Sequence, residues 1–209
     1  MKAVLSICFL WGLFSQGALL ECYTCVGEEC KTPKIQNCTA EQDACYVAIA
    51  EVILGSSIVP RQHVMVKQCD KVRTCWDKQL SLSTVKGGSY RANIKCCYTD
   101  LCNNMNVSLP ETVESPPNGI HCPSCFAFDS TVCTEVENLT CTGNETKCVQ
   151  GAIKISTDPA EEGVPIIFQG CATPTACQFP VPLPGISSEH MHLTGEQLQC
   201  IKGYEDLTV

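Results

Sequence analysis

The sequence predicts a small all-β, disulfide-rich protein built as two tandem modules. Three observations carry this expectation. The chain pairs an export signal with a high cysteine count, its cysteine pattern repeats after about one hundred residues, and its β-branched runs are separated by turn residues without an amphipathic helical repeat.

The export signal comes first. Lys2 precedes an apolar run from Ala3 to Phe14, and small or polar residues follow at Ser15, Gly17 and Ala18. This is the layout of a cleaved secretory signal, assigned to residues 1–18, and the run is too short to span a membrane. The C-terminal GEQLQCIKGYEDLTV lacks the polar spacer and apolar tail of a lipid anchor. The expected product is secreted and extracellular, with no membrane anchor. Cys8 leaves with the signal, so eighteen of the nineteen cysteines remain. An even number in an exported chain implies a disulfide framework. Sequons at Asn37, Asn106, Asn138 and Asn144 are candidate glycosylation sites and agree with export.

The cysteines form two series. Cys22, Cys25, Cys30, Cys38, Cys45, Cys69, Cys75 and Cys96 recur as Cys122, Cys125, Cys133, Cys141, Cys148, Cys171, Cys177 and Cys200, at offsets of 100 to 104. Such small drift indicates a duplicated module. The expected boundaries are 20–108 and 119–209, with the proline- and acid-rich 109–118 as linker. Within the first module, CYVAIAEVIL, a Gly/Ser/Pro turn and HVMVKQC read as a hairpin; Gly87-Gly88 before SYRANIKC suggests another turn and returning strand. The second module repeats the plan with VQGAIKIS, TDPAEEG and VPIIFQGC. Modules this small have little core and are usually stapled.

The stretch IKCCYTDLCNN, residues 94–104, constrains the staples. Consecutive Cα atoms lie about 3.8 Å apart, whereas a disulfide usually needs roughly 4.4–6.8 Å. Cys96 and Cys97 are therefore expected to reach different partners, which composition alone leaves open.

Cys-x2-Cys near the mature N-terminus, hairpin-length gaps and a closing Cys-Cys-x4-Cys-Asn together resemble the Ly6/uPAR family of three-finger domains. The resemblance covers almost the whole mature chain and is most specific at LECYTC and CCYTDLCN. It implies two tandem three-finger domains with Cys22–Cys45, Cys25–Cys30, Cys38–Cys69, Cys75–Cys96 and Cys97–Cys102 in the first. In the second it implies Cys122–Cys148, Cys125–Cys133, Cys141–Cys171 and Cys177–Cys200. The family's asparagine corresponds to Asn103, whose amide both donates and accepts and is assigned a structural role. The second module departs from the pattern: Ile201 follows Cys200, and the closing CC-x4-CN motif is missing. Two domains with a shortened second copy, with NGIHCPSC and GNETKC, are similar to the soluble gamma-type phospholipase A2 inhibitors of this family. That resemblance implies a secreted, non-catalytic protein that inhibits secreted phospholipase A2 by protein–protein contact. The alternative it leaves open is a Ly6/uPAR-type ligand or co-receptor for a cell-surface receptor, or a role in adhesion or reproduction.

Other chemistry is weaker. The Cys22-x2-Cys25 and Cys122-x2-Cys125 pairs lack the second close pair of a zinc site and the βαβ context of a thioredoxin-like one. His190 and His192 are two isolated ligands, His63 and His121 stand alone, and no nucleophile-elbow motif occurs. No metal, cofactor or catalytic residue is expected. The first module carries ten Lys/Arg against nine Asp/Glu, the second three against eleven. This balance argues against nucleic acid as partner and would steer a basic protein, such as a basic secreted phospholipase A2, toward the second module. A homo-oligomer is left open. Finger tips need not pack and are free to bind. The candidate contacts are Ile58 and Val59 in the first module, and Glu161, Glu162 and Phe179 in the second.

Overall fold

The computed structural model describes residues 19–54, 61–109, 115–156, 158, 160–178, 192–195, 198–202 and 204–205. The first module contributes β1 (Glu21–Gly27), β2 (Lys34–Asn37), β3 (Ala44–Leu54), β4 (Gln62–Asp70), β5 (Lys78–Ser83) and β6 (Gly88–Cys97). The second contributes β7 (Pro117–Phe128), β8 (Glu137–Thr142), β9 (Lys147–Ser156) and β10 (Val164–Ala172). It ends in β11 (His192–Gly195), β12 (Gln199–Lys202) and β13 (Tyr204–Glu205). Three short 3₁₀ turns are the only helical elements among the described residues, in keeping with a sequence that carries period-two alternation and no helical period.

Each expected hairpin forms. β3 and β4 pair antiparallel from Ala44↔Asp70 to Val52↔Gln62, and β9 and β10 from Lys147↔Ala172 to Ile155↔Val164. β6 returns against both β3 and β5. The turn that feeds β6 places Lys86 and Gly87 at positive φ, 62° and 77°. Glycine adopts that geometry at little cost, which explains why the turn sits there. β7 begins at Pro117, inside the segment read as linker.

The two modules are not separate beads. β5 of the first pairs with β10 of the second through Ser83↔Cys171 and Leu82↔Ala172, so the sheet runs β11-β9-β10-β5-β6-β3-β4-β1-β2 across the junction. Alternation explains why. Ala48, Ala50, Val52, Leu80, Leu82, Tyr90, Ala92 and Ile94 line one face of the first module and need cover. Val149, Phe168, Ala172, Ala176 and Leu198 of the second complete the same buried cluster. Two small modules thereby share one core, beyond what either builds alone. Two further clusters consist of the cysteines at the base of each module, Cys22, Cys38, Cys45 and Cys69, and Cys122, Cys141, Cys148 and Cys171.

Candidate functional site

The disulfides at the base of each module fix what its finger tips present. Nine bridges join Cys22–Cys45, Cys25–Cys30, Cys38–Cys69, Cys75–Cys96, Cys97–Cys102, Cys122–Cys148, Cys125–Cys133, Cys141–Cys171 and Cys177–Cys200. Their Cα separations run from 5.3 to 6.1 Å, inside the usual range. Cys22, Cys38 and Cys69 bring three sulfurs within 4.8 Å of one another, as do Cys122, Cys141 and Cys171. Each of these sulfurs is already half of a disulfide, so it offers no thiolate to a metal.

Above the first cluster lies the clasp. Asn103 is completely buried. Its Oδ1 accepts from the Tyr23 N–H at 3.0 Å, and its Nδ2 donates to the Tyr23 and Tyr46 carbonyls at 2.9 and 3.0 Å. One amide thus ties the end of the module to β1 and β3. No part of it reaches the surface for a ligand.

Two carboxylates are buried in contrasting surroundings. Glu51, 1 % exposed on β3, meets Arg91 at 2.5 Å and His63 Nε2 at 3.1 Å, and also pairs with Arg61. Burial alone would raise its carboxyl, but hydrogen bonds from Arg91 and Arg61 hold it below the usual carboxylate range. His63 is thereby accounted for as a contact of this buried carboxylate. Glu145 sits at the module junction, where its carboxylate accepts from Ser81 Oγ at 2.8 Å and Ser83 Oγ at 2.5 Å. Burial pushes its carboxyl above the ordinary 4.5, against the lowering effect of the two serines.

That shift has a signed consequence. A carboxyl raised in the folded state gives a contribution that is full below about the ordinary value and lost as pH rises through the folded one. Glu145→Gln is expected to flatten this fall while retaining the serine contacts. Denaturation curves across a pH series check it: the stability of wild type relative to the variant declines above about pH 4.5, and a constant difference would contradict the assignment.

Further polar contacts seal the junction. Thr173 N–H donates to the Ser81 carbonyl at 3.0 Å, Ser81 N–H to Thr173 Oγ1 at 3.1 Å, and Val85 N–H to Ser124 Oγ at 2.8 Å. Beside it, Val52, Leu82 and Tyr90 face Phe126, Ile153, Ile166 and Phe168 across a small apolar cleft of about 50 Å³. This is too small for a drug-sized ligand.

Of the contacts expected from sequence, Glu161 and Glu162 are exposed in the β9–β10 turn. Glu162 pairs with Lys154 at 2.8 Å, which holds its carboxyl below the usual range. Ile58, Val59, Phe179 and His190 lie outside the described residues, and His192 is described only as part of β11. His121 is buried and its Nδ1 lies 3.3 Å from Thr140 Oγ1. The sequon asparagines Asn37, Asn106, Asn138 and Asn144 are all exposed.

Sequence reasoning missed the first finger of the second module. There Phe128, Val132 and Val136 are 50 %, 58 % and 53 % exposed, and Val164 on the neighbouring strand is 37 % exposed. Phe128 lies opposite Ile166, and Val164 opposite Ile155. The available signal was Val132 and Val136 in the polar run DSTVCTEVE, where no alternation assigns them to a core.

Comparisons with known proteins agree with this architecture. The u-PAR/Ly-6 domain model matches residues 18–105 and 118–200. The chain is 29 % identical over 182 residues to the phospholipase A2 inhibitor NAI of Notechis ater, covering 85 % of this chain and 86 % of that one. It is 28 % identical over 182 residues to a phospholipase A2 inhibitor of the gamma type from Gloydius brevicaudus siniticus, with 86 % of each covered. Protein RoBo-1 of Rattus norvegicus is 28 % identical over 184 residues, covering 86 % of this chain and 72 % of that protein. With two matched modules and, among the described residues, nine bridges and thirteen strands, the chain belongs to the u-PAR/Ly-6 domain family.

Proposed function

We propose that this is a secreted, non-catalytic binding protein that inhibits a basic secreted phospholipase A2 by protein–protein contact. One observation carries the reading: two relatives named phospholipase A2 inhibitor match across both modules, over 85 % and 86 % of this chain and 86 % of their own. The likeness is therefore to a whole two-module inhibitor and not to one shared domain. Physical features support it. Two modules locked through β5 and β10 make a rigid body that loses little freedom on binding. Contact inhibition also asks nothing of the buried carboxylates, which the arginines and serines already occupy. The acidic balance of the second module favours a basic partner.

The test is to titrate the purified, oxidised glycoprotein into hydrolysis assays of a panel of secreted phospholipases A2. Saturable inhibition of at least one basic enzyme is expected. Unchanged hydrolysis throughout, with no complex formed, would sink the proposal.

A further inference from the structure

Resting on that reading, we propose that the first-finger tip of the second module is where the partner docks. The surface is formed by Phe128, Val132 and Val164, and it takes a protein face with an apolar centre ringed by lysine and arginine.

Exposure is the first argument. Single apolar side chains on a surface are ordinary, whereas three within one tip are not. Phe128 and Val164 also continue the stripe of Ile155, Ile166 and Ile153 that runs inward along the same sheet face. The exposed pair is therefore the open end of a packed apolar layer.

Rigidity is the second. The loop is stapled at its base by Cys125–Cys133. Ser130 N–H donates to the Pro165 carbonyl at 3.3 Å, which ties the loop to the start of β10. Ser130 Oγ accepts from Val132 N–H at 3.2 Å and donates to the Val132 carbonyl at 2.9 Å, which fixes the residue that stands out furthest. Asp129 takes the left-handed conformation, φ 54°, that the reversal requires. A held loop presents its side chains without the entropy loss of ordering them on contact.

Charge selects the occupant. Asp129 follows Phe128, Asp158, Glu161 and Glu162 lie in the turn before Val164, and Glu135 lies across the loop. Lys154 pairs with Glu162 at 2.8 Å and Lys86 with Glu135 at 3.5 Å. Asp129 and Glu161 have no ion pair among the described residues. An apolar centre with an acidic rim repels an anionic membrane and the same tip of a second copy, and attracts a basic protein face. The equivalent finger of the first module differs: its exposed Val26 and Ile35 stand among Glu28, Glu29, Lys31 and Lys34, with no single sign.

The experiment measures association of the glycosylated protein with a panel of basic secreted phospholipases A2, without lipid. Phe128→Ser with Val132→Ser is expected to weaken binding by about tenfold or more. Asp129→Lys with Glu161→Lys is expected to slow association and reduce its salt dependence. Val132→Ile should retain binding, as should Ile35→Ser in the first module, and thermal unfolding shows whether each variant is folded. If wild type binds an enzyme and the serine double variant, folded, binds within about twofold of it, the surface is wrong while the inhibitor reading stands. An equal loss with Ile35→Ser overturns it too. Wild type that binds no enzyme, but whose apolar tip binds vesicles of phosphatidylcholine or phosphatidylserine or self-associates, overturns both the surface and the reading.

Discussion

Asn103→Asp is expected to unfold the first module at denaturant concentrations that leave wild type intact. The substitution preserves shape but replaces the Nδ2 donor with an oxygen, facing the carbonyls of Tyr23 and Tyr46. Two buried acceptors then lose their partner at about 1–3 kcal/mol each, with added repulsion, so a loss on the order of 4 kcal/mol follows. The site is fully buried, so water cannot take over. Because the disulfides remain closed, equilibrium denaturation under oxidising conditions isolates the hydrogen bonds. A loss below about 1 kcal/mol would mean that the clasp is held by Cys97–Cys102 alone.

Gly170→Ala is the second large effect, and it acts at the junction. A Cβ on Gly170 would lie 2.0 Å from the Ser83 carbonyl oxygen, 3.0 Å from its carbon and 3.2 Å from Thr84 Cα. All three are backbone atoms, so no rotamer relieves the clash, and β5 must part from β10. Overpacking ordinarily costs about 1–3 kcal/mol; a backbone clash belongs at the upper end or above it. A shift of about 2–4 °C per kcal/mol is expected for a protein of this size. Calorimetry should show a lower transition, and separation into two steps if the modules come apart. Gly27→Ala is the matched control, since nothing lies within 4 Å of its Cβ position. Equal tolerance of both substitutions would contradict the joined sheet.

These two residues also mark how far the sequence could be read. The clasp was legible through the resemblance to Ly6/uPAR domains: geometry disfavours only a bond between the neighbours Cys96 and Cys97, while the Cys97–Cys102 pairing and the structural role of Asn103 were what that resemblance implied. The β3–β4 and β9–β10 hairpins were legible from alternation and turn chemistry. The junction was not. KQLSLS announces a strand with Leu80 and Leu82 on one face, but period two says nothing about which strand lies alongside. Gly170 likewise needs no positive φ; it is required only because Ser83 approaches from the other module. Glu145 gives no local sign that two serines more than sixty residues away will bury it.

The candidate contacts divide in the same way. Glu161 and Glu162 were readable because an acidic turn between two β-branched runs must be exposed. Phe128 was not, because strand alternation gives it the same face as buried Ile166, and its exposure follows only from its place at the sheet's open end. Val132 owes its position to Ser130 and the Cys125–Cys133 staple, contacts between residues whose proximity depends on the fold.

The proposed inhibitor is expected to capture a basic secreted phospholipase A2 directly. The most direct test of this capture is association kinetics between the oxidised protein and a basic enzyme of that class in lipid-free buffer, repeated over a range of salt. A saturable complex is expected, whose association rate falls as salt rises, with loss of hydrolysis tracking occupancy. No complex without lipid, or inhibition that appears only when the protein coats the substrate surface, would contradict it.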